Sequence, residues 1–360
     1  MKNLLTLIIL LLPLYSNANG HLNILTWADY IQPDILKRFE QETSIKLHID
    51  YIDNNYSLES KLLATSHDYD ITVPTLAPFF IRQVKFGLFQ PLDHQTLKNY
   101  QYIDPKVIAF EKAANNSDNY AIPFMLDSVG IGYDHKKIIS IMPNAPINSL
   151  KMIFDPEIVK HFTSCGIEML DSAEEIMAMA LLYLGLDPNS HSEIDLKLAS
   201  EVLHKIRPFI NNINNSLYFN NLASGDNCLV IGYSGDIVQA KQISHKSGHN
   251  LDIRYILPKE GSILTLDLMA IPINAPNKVN AYKFLDFIMR PDINASIANY
   301  IGYTSPNLKS YLLINKEFID NPNIYPLGHD INKLHIMQMP TVAYNRLRNR
   351  SWMKFLSDEN

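Results

Sequence analysis

Residues Leu22 to Pro33 read L-N-I-L-T-W-A-D-Y-I-Q-P, and this stretch restricts the fold more than any other. Leu22, Ile24 and Thr26 alternate with Asn23 and Leu25, the period of a strand. Pro33 stands at a helix start, where its missing N–H costs nothing, and Ile35, Leu36 and Phe39 would form that helix's buried stripe. Trp27, Asp29 and Tyr30 fall on the turn between strand and helix, at the strand's carboxyl end. In an open α/β sheet, ligands bind along that edge. Aromatic faces beside a carboxylate suit an organic cation. The plainer reading makes Trp27 and Tyr30 core residues and Asp29 a helix-start residue.

The alternation continues. Leu47, Ile49 and Tyr51 predict a second strand, Asn54-Asn55 a turn, and Ser57 to Ala64 a helix. Asp70 to Val73 predicts a third strand, and Pro78 to Phe86 a helix closed by Gly87. This β-α-β-α-β-α order is that of a parallel doubly wound sheet. Ala121 to Asp134 is apolar except for Asp127, and it is read as the passage from one domain to the next. A charge in such a run must find a partner or face a cleft.

Asn148–Phe154 and Ser192–Arg207 read as helices of the second domain, the latter with Ile194, Leu198 and Val202 on one face. Asp171 to Leu184 is a helix in which Ser172 and Glu175 form an S-x-x-E capping box. The box is the structural role for Glu175; facing a cleft is the functional one. Strands are expected at Leu229–Tyr233, ending in Y-S-G-D, at Leu251–Leu257, and at Leu266–Ile271 with its lone Asp267. Ala281, Phe284, Leu285 and Ile288 mark a helix, and Arg346–Trp352 a basic helical tail.

Met1 to Ala18 has a lysine, a charge-free run from Leu4 to Leu14 and a small-x-small end, the pattern of a signal peptide cut after Ala18. The apolar run is too short to span a bilayer. No later run is long enough to cross, so the mature chain is expected to be soluble and exported. About 340 residues are more than one core usually holds, so two domains are expected. The net charge of -6 disfavours nucleic acid. In an oxidising compartment Cys165 and Cys228 form a plausible disulfide; two free buried thiols are the alternative.

Catalytic motifs are weak. G-Y-S-G-D at 232–236 lacks the second spacer of a nucleophile elbow, and there is neither a P-loop nor G-x-G-x-x-G. His245 and His249 have helical spacing without H-E-x-x-H, so no metal site, cofactor or enzyme is expected. What recurs is a carboxylate near an element end with aromatics nearby: Asp29, Asp127, Glu175, Asp236 and Asp267. Each alone reads as a cap or turn residue, but one cleft between two α/β lobes would gather them all.

Several collinear segments carry a family resemblance: T-W-A-D-Y-I-Q-P, Y-D-I-T-V-P-T, L-D-S-A-E-E-I, L-Y-L-G-L-D-P-N-S, I-G-Y-S-G-D, L-P-K-E-G, R-P-D at 290–292 and R-N-R-S-W. Through them the chain resembles the periplasmic polyamine-binding proteins of ABC transporters, with the putrescine-binding branch the best match, over essentially the whole mature length. The resemblance implies a two-lobe α/β binding protein, a mixed sheet flanked by helices in each lobe, and a ligand cleft between them. The implied lobes are 22–127 with 266–310, and 128–265 with 311–350. It implies a periplasmic monomer that delivers a polyamine to an inner-membrane permease complex and performs no chemistry.

Position by position, Trp27 and Tyr30 match the family's aromatic wall and Asp29 a polar discriminator beside it. Thr75 stands for a usual serine. Glu175, Asp236 and Asp267 match the carboxylates that hold ammonium groups. Tyr303 matches a cleft tyrosine, and Gln338 a lysine-or-glutamine position. Cys165 and Cys228 match a cysteine pair of the putrescine branch. Ala28, Ala77, Leu126, Asp127, Tyr233 and Thr265 depart from the family, making the expected pocket less aromatic and more acidic. Asp127 is expected to add a cation contact and Thr265 to open space, which would admit agmatine or another guanidinium compound, or weaken putrescine binding. A receptor for another organic cation and a polyamine-sensing protein are the alternatives.

Overall fold

The computed structural model describes residues 20–64, 68–115, 119–326 and 333–357; the leader-like segment 1–18 lies outside them. Its strands are β1 (His21–Trp27), β2 (Lys46–Ile52), β3 (Ile71–Thr72), β4 (Ala121–Asp134), β5 (Ile167–Met169), β6 (Asn212–Ile213), β7 (Leu229–Tyr233), β8 (Ile253–Ile256), β9 (Ser262–Ala270) and β10 (Leu334–His335). Among the described residues they join in the order β2-β1-β3-β9-β4-β7-β5-β6, with β10 on β9 and β8 on β4.

The first strand and its helix form as the pattern predicts. Pro33 begins the helix Pro33–Thr43, and Ile35 and Phe39 are its buried residues. β1 is parallel to β2 and β3. Leu22 and Ile24 pack into one apolar cluster and Leu25 into another, so both faces of β1 are covered, as in a doubly wound sheet. β9 then runs antiparallel to β3, which makes the sheet mixed.

β4 has all fourteen residues buried. Its first part, Ala121 to Ser128, pairs with β9; from Val129 onward it pairs with β7 and β8. One strand therefore runs through both halves of the sheet. The register shifts between Pro123 and Met125, where proline supplies no ladder donor.

Several boundaries and faces differ from the sequence expectation. Tyr51 is 57% exposed because β2 is the edge strand. The helix Glu193–Ile206 buries Leu196, Ala199, Val202, Leu203 and Ile206, while Ile194 and Leu198 face solvent. Apolar residues cover a little more than half of that helix's circumference, and the 194-198-202 line is the edge of that band rather than its centre. Only Lys151–Phe154 of the segment 148–154 is α-helical. Arg290-Pro291 closes one helix and opens a further one, Pro291–Ile301, with Pro291 in its first turn. The C-terminal helix is longer than its basic core, spanning Val342–Ser357. Cys165 and Cys228 are joined in a disulfide with Cα atoms 5.5 Å apart. It ties the chain just before β5 to the chain just before β7, two paired parallel strands. No helix among the described residues is long and apolar enough to cross a membrane.

Candidate ligand-binding cleft

A cavity of about 650 Å³ opens where the two halves of the sheet meet. It collects Trp27, Asp29, Tyr30, Thr75, Asp127, Glu175, Tyr233, Asp236, Asp267 and Tyr303, ten residues singled out in the sequence. Gln338 is not among them. It is exposed, its backbone N–H donates to Asn189 Oδ1 at 2.8 Å, and it lines a separate small pocket.

Each side chain is delivered by an element end or by a central strand. Trp27 ends β1, and Asp29 follows with φ +54°, a left-handed conformation that turns the chain sharply before the helix. Tyr30 packs edge-on against Tyr303, ring centres 5.5 Å apart. Tyr303 comes just after the helix Pro291–Ile301 and lies on Gly235, where an added Cβ would sit 1.7 Å from its ring. Only glycine allows that approach. Asp236 lies in the first turn of the helix Ser234–Lys246, where the helix dipole favours an anion.

Four carboxylates of the cleft are held in different ways. Asp267, on β9, accepts the Tyr30 hydroxyl on Oδ2 at 2.5 Å and the Thr75 hydroxyl on Oδ1 at 2.7 Å. Asp236 accepts the Tyr218 hydroxyl. Asp127 gathers three donors on Oδ1: the Ser128 N–H at 2.7 Å, the Ser234 N–H at 3.0 Å and the Ser234 hydroxyl at 2.5 Å. Glu175 Oε1 accepts the Tyr233 hydroxyl at a long 3.4 Å. The Glu175 backbone N–H does reach Ser172 Oγ, at 3.4 Å, as the cap requires. Its carboxylate turns to the cleft.

Burial pushes all four acids up. Asp127 rises to about 8, with Ser234 pulling down and Asp236 pushing further up. Glu175 rises to about 7, helped by its neighbour Glu174. Asp236 rises to about 6 against the pull of the Tyr218 and Tyr303 hydroxyls, and Asp267 to about 6 against Tyr30 and Thr75. The cleft is thus a place where negative charge is costly.

Among the described residues lining the cavity, eight are Asp or Glu and none is Lys, Arg or His. Trp27, Tyr30, Tyr56, Phe79, Phe219, Tyr233, Tyr303 and Trp352 supply aromatic surface. A positively charged ligand with apolar segments satisfies both features: carboxylates match its charges, and ring faces cover its methylenes and attract the charges as well. The Ser234 hydroxyl is committed to Asp127, no histidine lines the cavity, and no metal-holding cluster occurs among the described residues.

Tyr56, Phe79, Glu174, Tyr218, Ser234 and Trp352 shape the cleft without having been picked out in the sequence as site residues. Glu174 adjoins Glu175, and the E-E pair gave no sign of which one faces ligand. Tyr218 reaches Asp236 from a helix start 18 residues earlier, a contact with no local signal.

Residues 34–326 match the family model described as bacterial extracellular solute-binding protein. The chain is 38% identical over 338 residues to the putrescine-binding periplasmic protein PotF of Escherichia coli, covering 93% of this chain and 91% of that one. It is 36% identical over 340 residues to the putrescine-binding periplasmic protein SpuD of Pseudomonas aeruginosa, covering 94% and 92%. A solved Listeria monocytogenes structure, described as a putative spermidine/putrescine ABC transporter, superposes with a TM-score of 0.83 at 28% identity, covering 94% of this chain and 99% of that one.

Proposed function

Because the chain belongs to the bacterial extracellular solute-binding proteins, we propose that it captures a polyamine-like cation in its cleft, in the periplasm, and delivers it to the permease of an ABC importer. The observation that carries this reading is the lining: eight carboxylates, no basic side chain and an aromatic wall. The names of the relatives, putrescine-binding periplasmic proteins, point the same way.

On this reading one lobe comprises 22–127 with 266–310 and the other 128–265 with 311–350. The exchange of partners along β4 after Ser128 supports that division. Asp236 and Asp267 hold ammonium groups, Glu175 and Asp127 add further acceptors, and Trp27, Tyr30, Tyr233 and Tyr303 enclose the methylenes. Asp29 and Thr75 complete the near wall. Lobe closure removes water and strengthens each ion pair, provided every ammonium is matched. The permease then recognises the closed form.

The test is calorimetric titration of the protein from residue 19 onward with putrescine, spermidine, cadaverine, agmatine and arginine. Saturable binding of an amine that is lost in Asp236→Ala and Asp267→Ala is the expected result. Binding of none of them removes the polyamine reading.

A further inference from the structure

Glu174 and Glu175 are consecutive residues in the first turn of the helix Ala173–Tyr183, and both line the cleft. Their partners set them apart. Among the described side chains Glu175 meets a tyrosine hydroxyl, at 3.4 Å. Glu174 Oε1 accepts the Tyr56 hydroxyl at 2.7 Å and also the guanidinium of Arg348. Tyr56 comes from the helix Asn55–Ala64 and Arg348 from the C-terminal helix.

The Arg348–Glu174 pair is almost completely buried, with 4% and 5% of the side chains exposed. Arg348 does not line the cleft itself; it stands behind Glu174, in the small pocket on the other side. Its Nη2 also donates to Asn345 Oδ1 at 2.6 Å, while its Nε is buried with no acceptor among the described residues. Burying two ions with incomplete hydrogen bonding stabilises a fold poorly, because desolvation offsets the Coulomb attraction. The C-terminal helix has a second tie in the same region, since the Trp352 indole N–H donates to Asp171, just before the helix Ala173–Tyr183, at 2.8 Å. What the pair does accomplish is electrostatic: a carboxylate in the cleft wall carries its own counter-ion.

We propose that Arg348 is a specificity-determining residue. It acts as an internal counter-ion that withdraws Glu174 from the set of carboxylates open to ligand, and so disfavours a positive charge at the Tyr56 side of the cleft. This rests on the cation-binding reading above. With Arg348 present, an ammonium brought to Glu174 meets a site already neutralised and lies close to another fixed positive charge. Without it, Glu174 becomes one more acceptor at the Tyr56 side of the cleft, and a ligand with an additional charge gains a partner that a diamine leaves empty.

The experiment compares putrescine, spermidine and spermine, which carry two, three and four ammonium groups, by calorimetric titration. The proteins are the parent chain, Arg348→Met, Arg348→Lys and the double variant Glu174→Gln/Arg348→Met. A charged hydrogen bond gained at Glu174 is expected to shift the ratio of putrescine to spermidine dissociation constants in Arg348→Met by about tenfold or more toward spermidine. Arg348→Lys, which keeps the charge, is expected to retain the parent's ratio within about threefold, and the double variant, which removes both charges together, to return to it. A merely structural arginine would change stability, or both affinities alike, and leave the ratio in place; that result overturns the proposal. If Arg348→Met does not fold, the double variant decides: the parent's ratio supports the proposal, and selective loss of spermidine shows Glu174 to be a ligand contact and overturns it. A parent that binds none of the three amines fails the cation reading itself, an outcome distinct from an unchanged ratio in a parent that binds.

Discussion

Tyr30 and Asp267 lie 237 residues apart in the chain and share a 2.5 Å hydrogen bond in the cleft. Tyr30 follows β1, Thr75 follows β3, and Asp267 belongs to β9, so three neighbouring stretches of the sheet fix both oxygens of one carboxylate. Tyr30→Phe removes one donor from the ionised form. The Asp267 carboxyl is then expected to rise above its present value of about 6, and less of it is ionised at pH 7. Calorimetry at pH 7 should show diamine affinity lowered by about three- to tenfold, with part of the loss recovered at pH 8. Equal affinity at both pH values would remove the role assigned to that hydroxyl.

Stability and binding should respond to pH in opposite directions. Asp127, Glu175, Asp236 and Asp267 titrate at about 8, 7, 6 and 6 in the folded chain, against about 4 when unfolded. Between those limits the native state binds more protons than the unfolded one, so these groups lower stability as pH rises from about 4 to 8. Thermal unfolding of the ligand-free protein should give a higher Tm at pH 5 than at pH 8. Cation binding needs the carboxylates ionised, so the stabilisation added by ligand should grow over the same interval. A ligand effect larger at pH 5 than at pH 8 would contradict the assignment of these acids to the cation.

Asp127→Asn keeps an oxygen for the Ser128 and Ser234 donors and removes the charge. The ligand-free variant should be more stable than the parent at pH 8, because a buried acid no longer has to ionise. Its affinity for the preferred amine should fall about tenfold or more, the scale of one charged hydrogen bond. If every candidate amine binds the variant as tightly as the parent, Asp127 makes no cation contact.

The disulfide should matter to stability and not to recognition. Neither Cys165 nor Cys228 lines the cleft. Replacing both with alanine is expected to cost about 2–4 kcal/mol of unfolding free energy by removing a 63-residue cross-link from the unfolded state. Denaturant titration reads that loss, and the affinity for ligand should stay within about twofold of the parent. A large change in affinity would mean that the bridge shapes the cleft.

The local part of this architecture could be read from sequence because its causes are local. The period of Leu22 to Thr26, the helix-starting Pro33 and the capping Ser172 each act over a few residues and gave the right element. Where the cause is long-range, local pattern carries no signal. The insertion of β9 between β3 and β4 depends on the pairing of Thr72 with Ala270, nearly 200 residues on, and of β4 with β9, well over 100 residues on. Ile194 and Leu198 matched the helical period and still face water, because the partner surface covers the other stripe. The carboxylates of the cleft stood out because a lone acid in an apolar run is conspicuous, as at Asp127 and Asp267. The hydroxyls that hold them, from Tyr218 and Ser234, did not, since tyrosine and serine are unremarkable anywhere. Gln338 was placed by family position alone and lies outside the cleft.

β4 is made long before the strands it pairs with along most of its length. Each of its partners, β7, β8 and β9, lies more than ninety residues downstream of it. When Asp134 emerges, the chain carries a fourteen-residue segment, destined for complete burial, with nothing yet available to pair with it. Such a segment is a template for intermolecular pairing. Topology therefore makes folding late and non-local, and the sheet cannot close through β4 until β9 has been made.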